Sequence, residues 1–186
     1  MNVRVFSVLV LFFVHLFVGS LSSANLSEEW MHREYSKAKL HKYVKYFDSR
    51  KEELYLKHRS YNDLLETIEI AKEEFANDPV FTLSDVTAIM LKESRFDQYA
   101  INKNDGGRGL GQLTNIKGWW KEELAFINDP FDKRQNIKGI RKCLNSFYSK
   151  YGNKYKAIKH YNGSTFKSDL YAKSVIKMSK ELKIHI

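Results

Sequence analysis

Apolar residues recur along the chain at the three-and-four spacing of a helix, and no run shows convincing strand alternation. Ser27 before Glu28-Glu29 reads as the cap of a first helix, whose rough stripe from Trp30 to Phe47 is Tyr35, Ala38, Val44 and Phe47. A second helix is predicted from Arg50 to Ala76, with Leu54, Tyr61, Leu64, Leu65, Ile68, Ala71 and Phe75 on its apolar side and Asn77-Asp78-Pro79 as its stop. Thr82 then opens a third helix, with Asp85 in the position where a capping box ordinarily has Glu. Val86, Ile89 and Met90 carry its buried face, and Glu93 falls one turn past Ile89, near the C-terminal end. Further helices are predicted from Lys133 to Tyr151, Lys154 to Tyr161 and Lys167 to Leu182, separated by breaks that include Asn162-Gly163-Ser164. The two prolines both stand at breaks, and neither an internal repeat nor a dividing linker is visible. The pattern predicts a mainly α fold with at most a very small sheet.

The first two dozen residues read differently. Met1 to Arg4 form a short basic start, Val5 to Val18 are almost wholly apolar, and Ser22 and Ala24 suit a small-x-small cleavage site. The apolar run, about 14 residues, is short of the roughly 17 to 25 that cross a hydrocarbon core. Residues 1–24 are therefore expected to be a cleaved export signal or an uncleaved N-terminal membrane anchor. Either places the protein in the periplasm or outside the cell. The formal charge of +9 then points to anionic wall polymers or a membrane surface. Basic residues are spread along the chain and no zinc finger, RRM or phosphate loop is present, so no nucleic-acid partner is expected. The single cysteine, Cys143, forms no intramolecular disulfide. It patterns with Ile140, Leu144 and Phe147 as a small core residue. With no HExxH, no paired histidines and no second cysteine, neither a metal nor a cofactor is expected.

Glu93 is the residue with chemistry in it. A lone helical glutamate is ordinarily a solvated side chain, but this one follows an apolar stretch and precedes Ser94 and a glycine-rich loop, Asn102 to Gly111. A carboxyl at the edge of an apolar core has its charged form disfavoured, and a raised pKa is what a general acid needs near neutral pH.

Three segments occur in order: Glu93-Ser94-Arg95-Phe96, then Gly106-Gly107-Arg108-Gly109-Leu110-Gly111-Gln112, then Ala157-Ile158-Lys159-His160-Tyr161-Asn162-Gly163. Between the second and third lie Asp129-Pro130, Asn136-Ile137 and Gly139. This series, over roughly half the chain from Leu83 to Val175, resembles the soluble lytic transglycosylases, whose lysozyme-like domain is shared with goose-type lysozymes. Those proteins carry Glu-Ser, then G-A-x-G-L-M-Q, then A-x-x-x-Y-N-x-G. Here Gly107 stands for the usual Ala and Gly111 for the usual Met, which removes a side chain expected to shape the glycan groove.

The resemblance implies a lysozyme-like domain at 80–186; residues 25–79 lie outside its motifs and are expected to form an N-terminal helical segment that packs on that domain or contacts a partner. It also implies that Glu93 protonates the β-1,4 bond between N-acetylmuramic acid and N-acetylglucosamine in peptidoglycan. Once deprotonated, Glu93 would help the muramic C6 hydroxyl close a 1,6-anhydro ring. Ser94, Gln112, Tyr161 and Asn162 become the implied substrate contacts, with the Tyr161 hydroxyl directed at Glu93. A hydrolase of the same fold would want a second carboxylate, and Asp97 and Asp105 are the residues to inspect. Absent that support, Asp97 reads as a helix-end residue and Asp105 as a turn former. A third reading is a peptidoglycan-binding scaffold in a secretion, conjugation or phage apparatus, against which the intact Glu93, Gln112 and Tyr161 argue.

Overall fold

The computed structural model describes residue 31 and residues 33–56, 58–114 and 120–184. The expectations for residues 1–30, the export signal and the Ser27 cap among them, lie outside the described residues. The chain divides into two compact units, Met1–Lys39 and Leu40–Ile186. Helical backbone covers 33–49 (α1), and in the first unit Lys37 pairs with Glu34.

In the second unit, Tyr61–Phe75 (α2), Leu83–Glu93 (α3), Lys133–Tyr151 (α4), Lys154–Asn162 (α5) and Phe166–Lys183 (α6) follow one another. Each start is chemically marked. Ser60, Asp132, Asn153 and Thr165 accept the N–H groups of Asp63, Gln135, Lys156 and Ser168, satisfying donors that have no partner within the helix. The α3 start uses the predicted box, with the Asp85 carboxylate accepting both the N–H (2.7 Å) and the hydroxyl (2.8 Å) of Thr82.

The expectation of one helix from Arg50 to Ala76 is not met. Residues 50–55 form turns, Tyr55 takes φ 58°, and a new helix begins only after Ser60. The apolar periodicity runs through the break because Leu54 and the fully buried Leu56 reach the same core from a turn.

The α3 helix is the axis of the unit. It packs along α6 and α2, while α4 packs on α2 and α5, and α5 on α6. Residues Ser84 to Leu91 are buried without interruption, as in a helix covered on every side. Its polar residues must then be satisfied inside the protein. Thr87 donates to the Leu83 carbonyl at 2.6 Å. The Asp85 carboxylate, besides its bonds to Thr82, accepts from Ser179 on α6 at 2.7 Å and pairs with Lys154 at the start of α5.

How α3 ends decides where Glu93 sits. Arg95 and Phe96 both take left-handed φ values, 55° and 59°. For residues with a Cβ this costs about 1 kcal/mol or more each. What offsets it is burial: the turn carries Phe96 back into the core, edge-on against Phe47 at 5.2 Å between ring centres. The helix therefore stops one residue after Glu93, at Ser94. Beyond it, β pairing among the described residues is limited to two isolated antiparallel bridges, Ile101 with Arg108 and Arg108 with Leu113. No described helix is long and apolar enough to cross a membrane.

Candidate active site

The glycine-rich loop, which reads as flexible in the sequence, is held in place. Asn102 donates to Gly107 O at 2.8 Å, Gly106 to Asn102 O at 2.8 Å, and Gly109 to Ala100 O at 2.9 Å. Its other anchor is Asn136, buried on α4. The Asn136 Oδ1 accepts the Gly111 N–H at 2.8 Å, while Nδ2 donates to the carbonyls of Arg108 (3.0 Å) and Pro130 (2.8 Å). One amide thus satisfies three backbone groups that would otherwise be stranded, and ties the loop to the Asp129-Pro130 break.

That approach requires glycine at two positions. Gly109 has φ 73°, and a Cβ there would lie 2.3 Å from Asn136 Nδ2 and 2.4 Å from Pro130 O. A Cβ on Gly111 would lie 2.4 Å from Ile140 Cγ1 and 2.7 Å from the Tyr161 hydroxyl. The space a methionine would take in the family pattern is filled by Ile140 and Tyr161, so the groove is shaped by other residues rather than left open. Gly111→Ala is expected to cost about 1–3 kcal/mol by overpacking and to lower activity by displacing Tyr161, read by urea denaturation and turnover together. Unchanged stability would show that this contact is loose.

The loop, the end of α3 and the α4–α5 pair enclose a cleft of about 330 Å³. Glu93 lines it, and burial raises its carboxyl to about 7. The Asp105 charge pushes in the same direction, while Tyr171 and the Lys92 charge oppose it. The site thus holds a carboxyl that is about half protonated at neutral pH.

The structure brings Gln112, Tyr161 and Asn162 into the same cleft, in ways the residue types alone do not show. The Gln112 Nε2 donates to the carbonyls of Ala100 (3.2 Å) and Gly109 (2.9 Å), so both its N–H groups are spent and only its Oε1 remains to accept from a ligand. The Tyr161 hydroxyl proton goes to the Gly111 carbonyl at 2.7 Å, not to Glu93 as expected. Ser94 is not among the residues lining the cleft. Its hydroxyl donates to the Leu110 carbonyl at 2.8 Å, bracing the end of α3 against the loop.

The group that does stand at Glu93 is Tyr171, on α6. Its hydroxyl is buried with no hydrogen-bond partner of normal geometry, yet it approaches the Glu93 carboxyl closely enough to favour the ionised form. Burial first, and then the Glu93 charge, drive the Tyr171 hydroxyl well above its ordinary value, so it stays a proton donor at any working pH. Sequence reading passes over Tyr171 because it falls beside Leu170, Ala172 and Val175, where an aromatic reads as core. Only the packing of α6 along α3 turns its polar tip toward the acid.

Of the two candidate second carboxylates, Asp97 is committed elsewhere, pairing with Arg59 at 2.9 Å and accepting the Tyr99 N–H at 2.9 Å. Asp105 forms the expected turn, accepting the Gly107 N–H at 2.9 Å, and it also lines the cleft. Cys143 is buried as expected, its thiol pushed up to about 12 by that burial, and it too borders the cleft. Among the described residues no group of three or more His, Cys, Asp or Glu side chains is placed to hold a metal ion.

The family model described as Transglycosylase SLT domain matches residues 66–183. No curated protein and no solved structure matches the chain. The family match takes in α3 with Glu93, the pinned loop and the α4–α6 helices around the cleft, and so covers every residue placed at the site. With that match over more than half the chain, on an all-helical fold that closes a cleft around a part-buried acid, the chain belongs to the transglycosylase SLT domain family, proteins of the lytic transglycosylase type that act on peptidoglycan.

Proposed function

We propose that the protein is an exported lytic transglycosylase that cleaves the β-1,4 bond from N-acetylmuramic acid to N-acetylglucosamine, with Glu93 as both acid and base. The observation that carries this reading is the Glu93 carboxyl at about 7 in a cleft, with a buried tyrosine hydroxyl as neighbour. Protonated Glu93 gives its proton to the glycosidic oxygen as the bond to the anomeric carbon breaks. The resulting carboxylate is stabilised by Tyr171 and faces an oxocarbenium-like centre. It then takes the proton of the muramic C6 hydroxyl as that oxygen bonds to the anomeric carbon. The proton borrowed is returned, no water is consumed, and the product is a 1,6-anhydro sugar. The Gln112 Oε1 and the Asn162 amide are the polar contacts offered to the glycan.

A second reading has one observation in its favour. Asp105 lines the cleft and its charge acts on Glu93, so a water activated there would make the protein a hydrolase of the same bond. Mass spectrometry of the muropeptides released from purified sacculi separates the two. Products ending in 1,6-anhydromuramic acid support the transglycosylase. Reducing-end products, heavier by about 18 Da for the added water, support the hydrolase, and in that case Asp105→Asn abolishes them.

Tyr171→Phe is expected to lower turnover several-fold, because the nearby hydroxyl that favours the ionised carboxyl is lost. Without the donor the Glu93 pKa rises, so the alkaline limb of the pH–rate profile moves up. A slower enzyme with an unmoved profile would leave Tyr171 as a packing residue only.

A further inference from the structure

One face of α6 is turned away from the fold, and its composition differs from that of an ordinary solvated helix. Ser168, Ala172, Val175, Ser179 and Leu182 supply the buried face. Opposite them, at the three-and-four spacing that keeps side chains on one stripe, stand Phe166, Leu170, Lys173, Lys177, Lys180 and, just past the helix end, Ile184. All six are exposed. Phe166 at 74% and Ile184 at 81% are the two most exposed large hydrophobic side chains among the described residues, and Leu170 stands at 51%. A single exposed apolar residue calls for no explanation, but three on one stripe of one helix do.

The positive charge on this face is unmatched as well. On α4, Lys133, Arg134 and Arg141 pair with carboxylates of α2, and Lys154 of α5 pairs with Asp85. The two acids of α6 are also taken up. Asp169 holds Lys159, Lys173 and the Tyr155 hydroxyl, and the Glu181 charge acts on Arg50. Lys177 and Lys180, with Lys167 and Lys183 on the flanks, have no carboxylate partner among the described residues. A protein partner suits such a face poorly, since lysine is depleted from protein interfaces. A sugar–phosphate polymer would take the lysines but leave Phe166, Leu170 and Ile184 in water. An anionic bilayer surface satisfies both, with apolar side chains entering the headgroup boundary and lysine heads reaching the phosphates.

We propose that the exposed face of α6 is a docking surface for an anionic lipid bilayer, with Phe166, Leu170 and Ile184 entering the interface and Lys177 and Lys180 meeting lipid phosphates. The helix has 18 residues, about 27 Å, and lies on the bilayer rather than through it. Phe166 comes three residues after Gly163, which lines the cleft with Asn162, so the docked helix holds one edge of the cleft at the membrane. The inference goes beyond the reaction assigned to Glu93 and does not rest on it.

The test uses the full-length chain with Leu170→Cys carrying an apolar, environment-sensitive fluorophore. Cys143 is buried, its thiol pushed up to about 12, and stays unlabelled. Because the dye sits on α6, it reports contact of this face itself, whatever else holds the chain to a membrane. Vesicles of phosphatidylcholine with phosphatidylglycerol are expected to shift its emission to the blue, and vesicles of phosphatidylcholine alone to leave it unchanged. Lys177→Gln with Lys180→Gln should raise the lipid concentration needed for half the shift about tenfold. Raised salt should act on the parent in the same direction. Lys121→Gln with Lys142→Gln removes the same charge from exposed positions outside α5 and α6. That control should change the midpoint by less than about twofold, because the attraction falls off within a Debye length. All the altered side chains are exposed, so the fold is kept. No shift with phosphatidylglycerol vesicles overturns the surface, as does an equal shift with both vesicle types or an equal loss in the two double variants. A shift without vesicles that grows with protein concentration gives the face to a second copy of the chain, and overturns it too. Cleavage of sacculi is read separately, and its failure sinks the reaction alone.

Discussion

Glu93→Gln is expected to abolish glycan cleavage, by at least about a thousandfold, while making the protein more stable at alkaline pH. The amide keeps the shape of the side chain but has no proton to give, and general acid–base catalysis by one positioned group contributes roughly 10²–10⁴ in rate. In the proposed mechanism the same group serves both proton transfers, so the loss lies toward the upper end. The stability effect follows from the raised pKa. A carboxyl displaced upward from 4.5 to about 7 contributes its full stability below the unfolded value, and loses it as pH rises through about 7. The displacement corresponds to about 3 kcal/mol once the carboxyl is ionised. Glutamine never carries that charge. Thermal melts of the two proteins should therefore diverge between about pH 4.5 and 8, with the variant the more stable at the upper end. Wild-type rates on sacculi would remove Glu93 as the acid. Parallel melting curves at every pH would show that its carboxyl is not held up by burial.

The second large effect is structural. Asp85→Ala is expected to cost about 3 kcal/mol, toward the low end for breaking a buried ion pair because the Lys154 side chain is 32% exposed. The carboxylate joins three helices: Thr82 at the start of α3, Lys154 at the start of α5 and Ser179 on α6. Its removal leaves the part-exposed Lys154 ammonium with the Val80 carbonyl at 3.1 Å and the face of the Phe81 ring at 5.6 Å. Burial works to raise the Asp85 carboxyl, but Lys154 and the hydrogen bonds from Thr82 and Ser179 outweigh it and hold the group below its ordinary value. The sign is thus opposite to that of Glu93: the stability is present above the unfolded value near 3.8 and is lost as pH falls through the lower folded value. Urea unfolding of Asp85→Ala, Lys154→Met and the double variant forms the check. The double change should cost clearly less than the two single losses combined, because no unpaired charge remains. Strict additivity would mean that the pair is not coupled.

These two carboxylates were unequally visible in the sequence. Glu93 stands out because an apolar helical stripe runs into it and a glycine-rich segment follows. Asp85 is legible only as a cap partner, since Lys154 and Ser179 lie 69 and 94 residues away along the chain. No local pattern links positions so far apart. The same limit explains the helix predicted through Arg50 to Ala76. Periodicity records which residues face the core, and Leu54 and Leu56 face it from a turn as well as a helix would.

At the site, what local chemistry dictates was readable: the helix caps, the breaks at the two prolines, the helical class, the turn made by Asp105 and the acid at the end of α3. What hydrogen bonds across the fold dictate was not. Residue type says that Gln112, Ser94 and Tyr161 have groups to offer, but their protons go to the carbonyls of Ala100, Gly109, Leu110 and Gly111. Tyr171, silent in the sequence, takes the place at Glu93 because α6 packs along α3. Most helix positions, and a carboxyl placed where an apolar helix ends, could be read along the chain, since propensity, capping and periodicity act over a few residues. Which side chains remain free to meet a substrate was decided only by the tertiary structure, because a buried donor takes whatever acceptor the packing brings within reach.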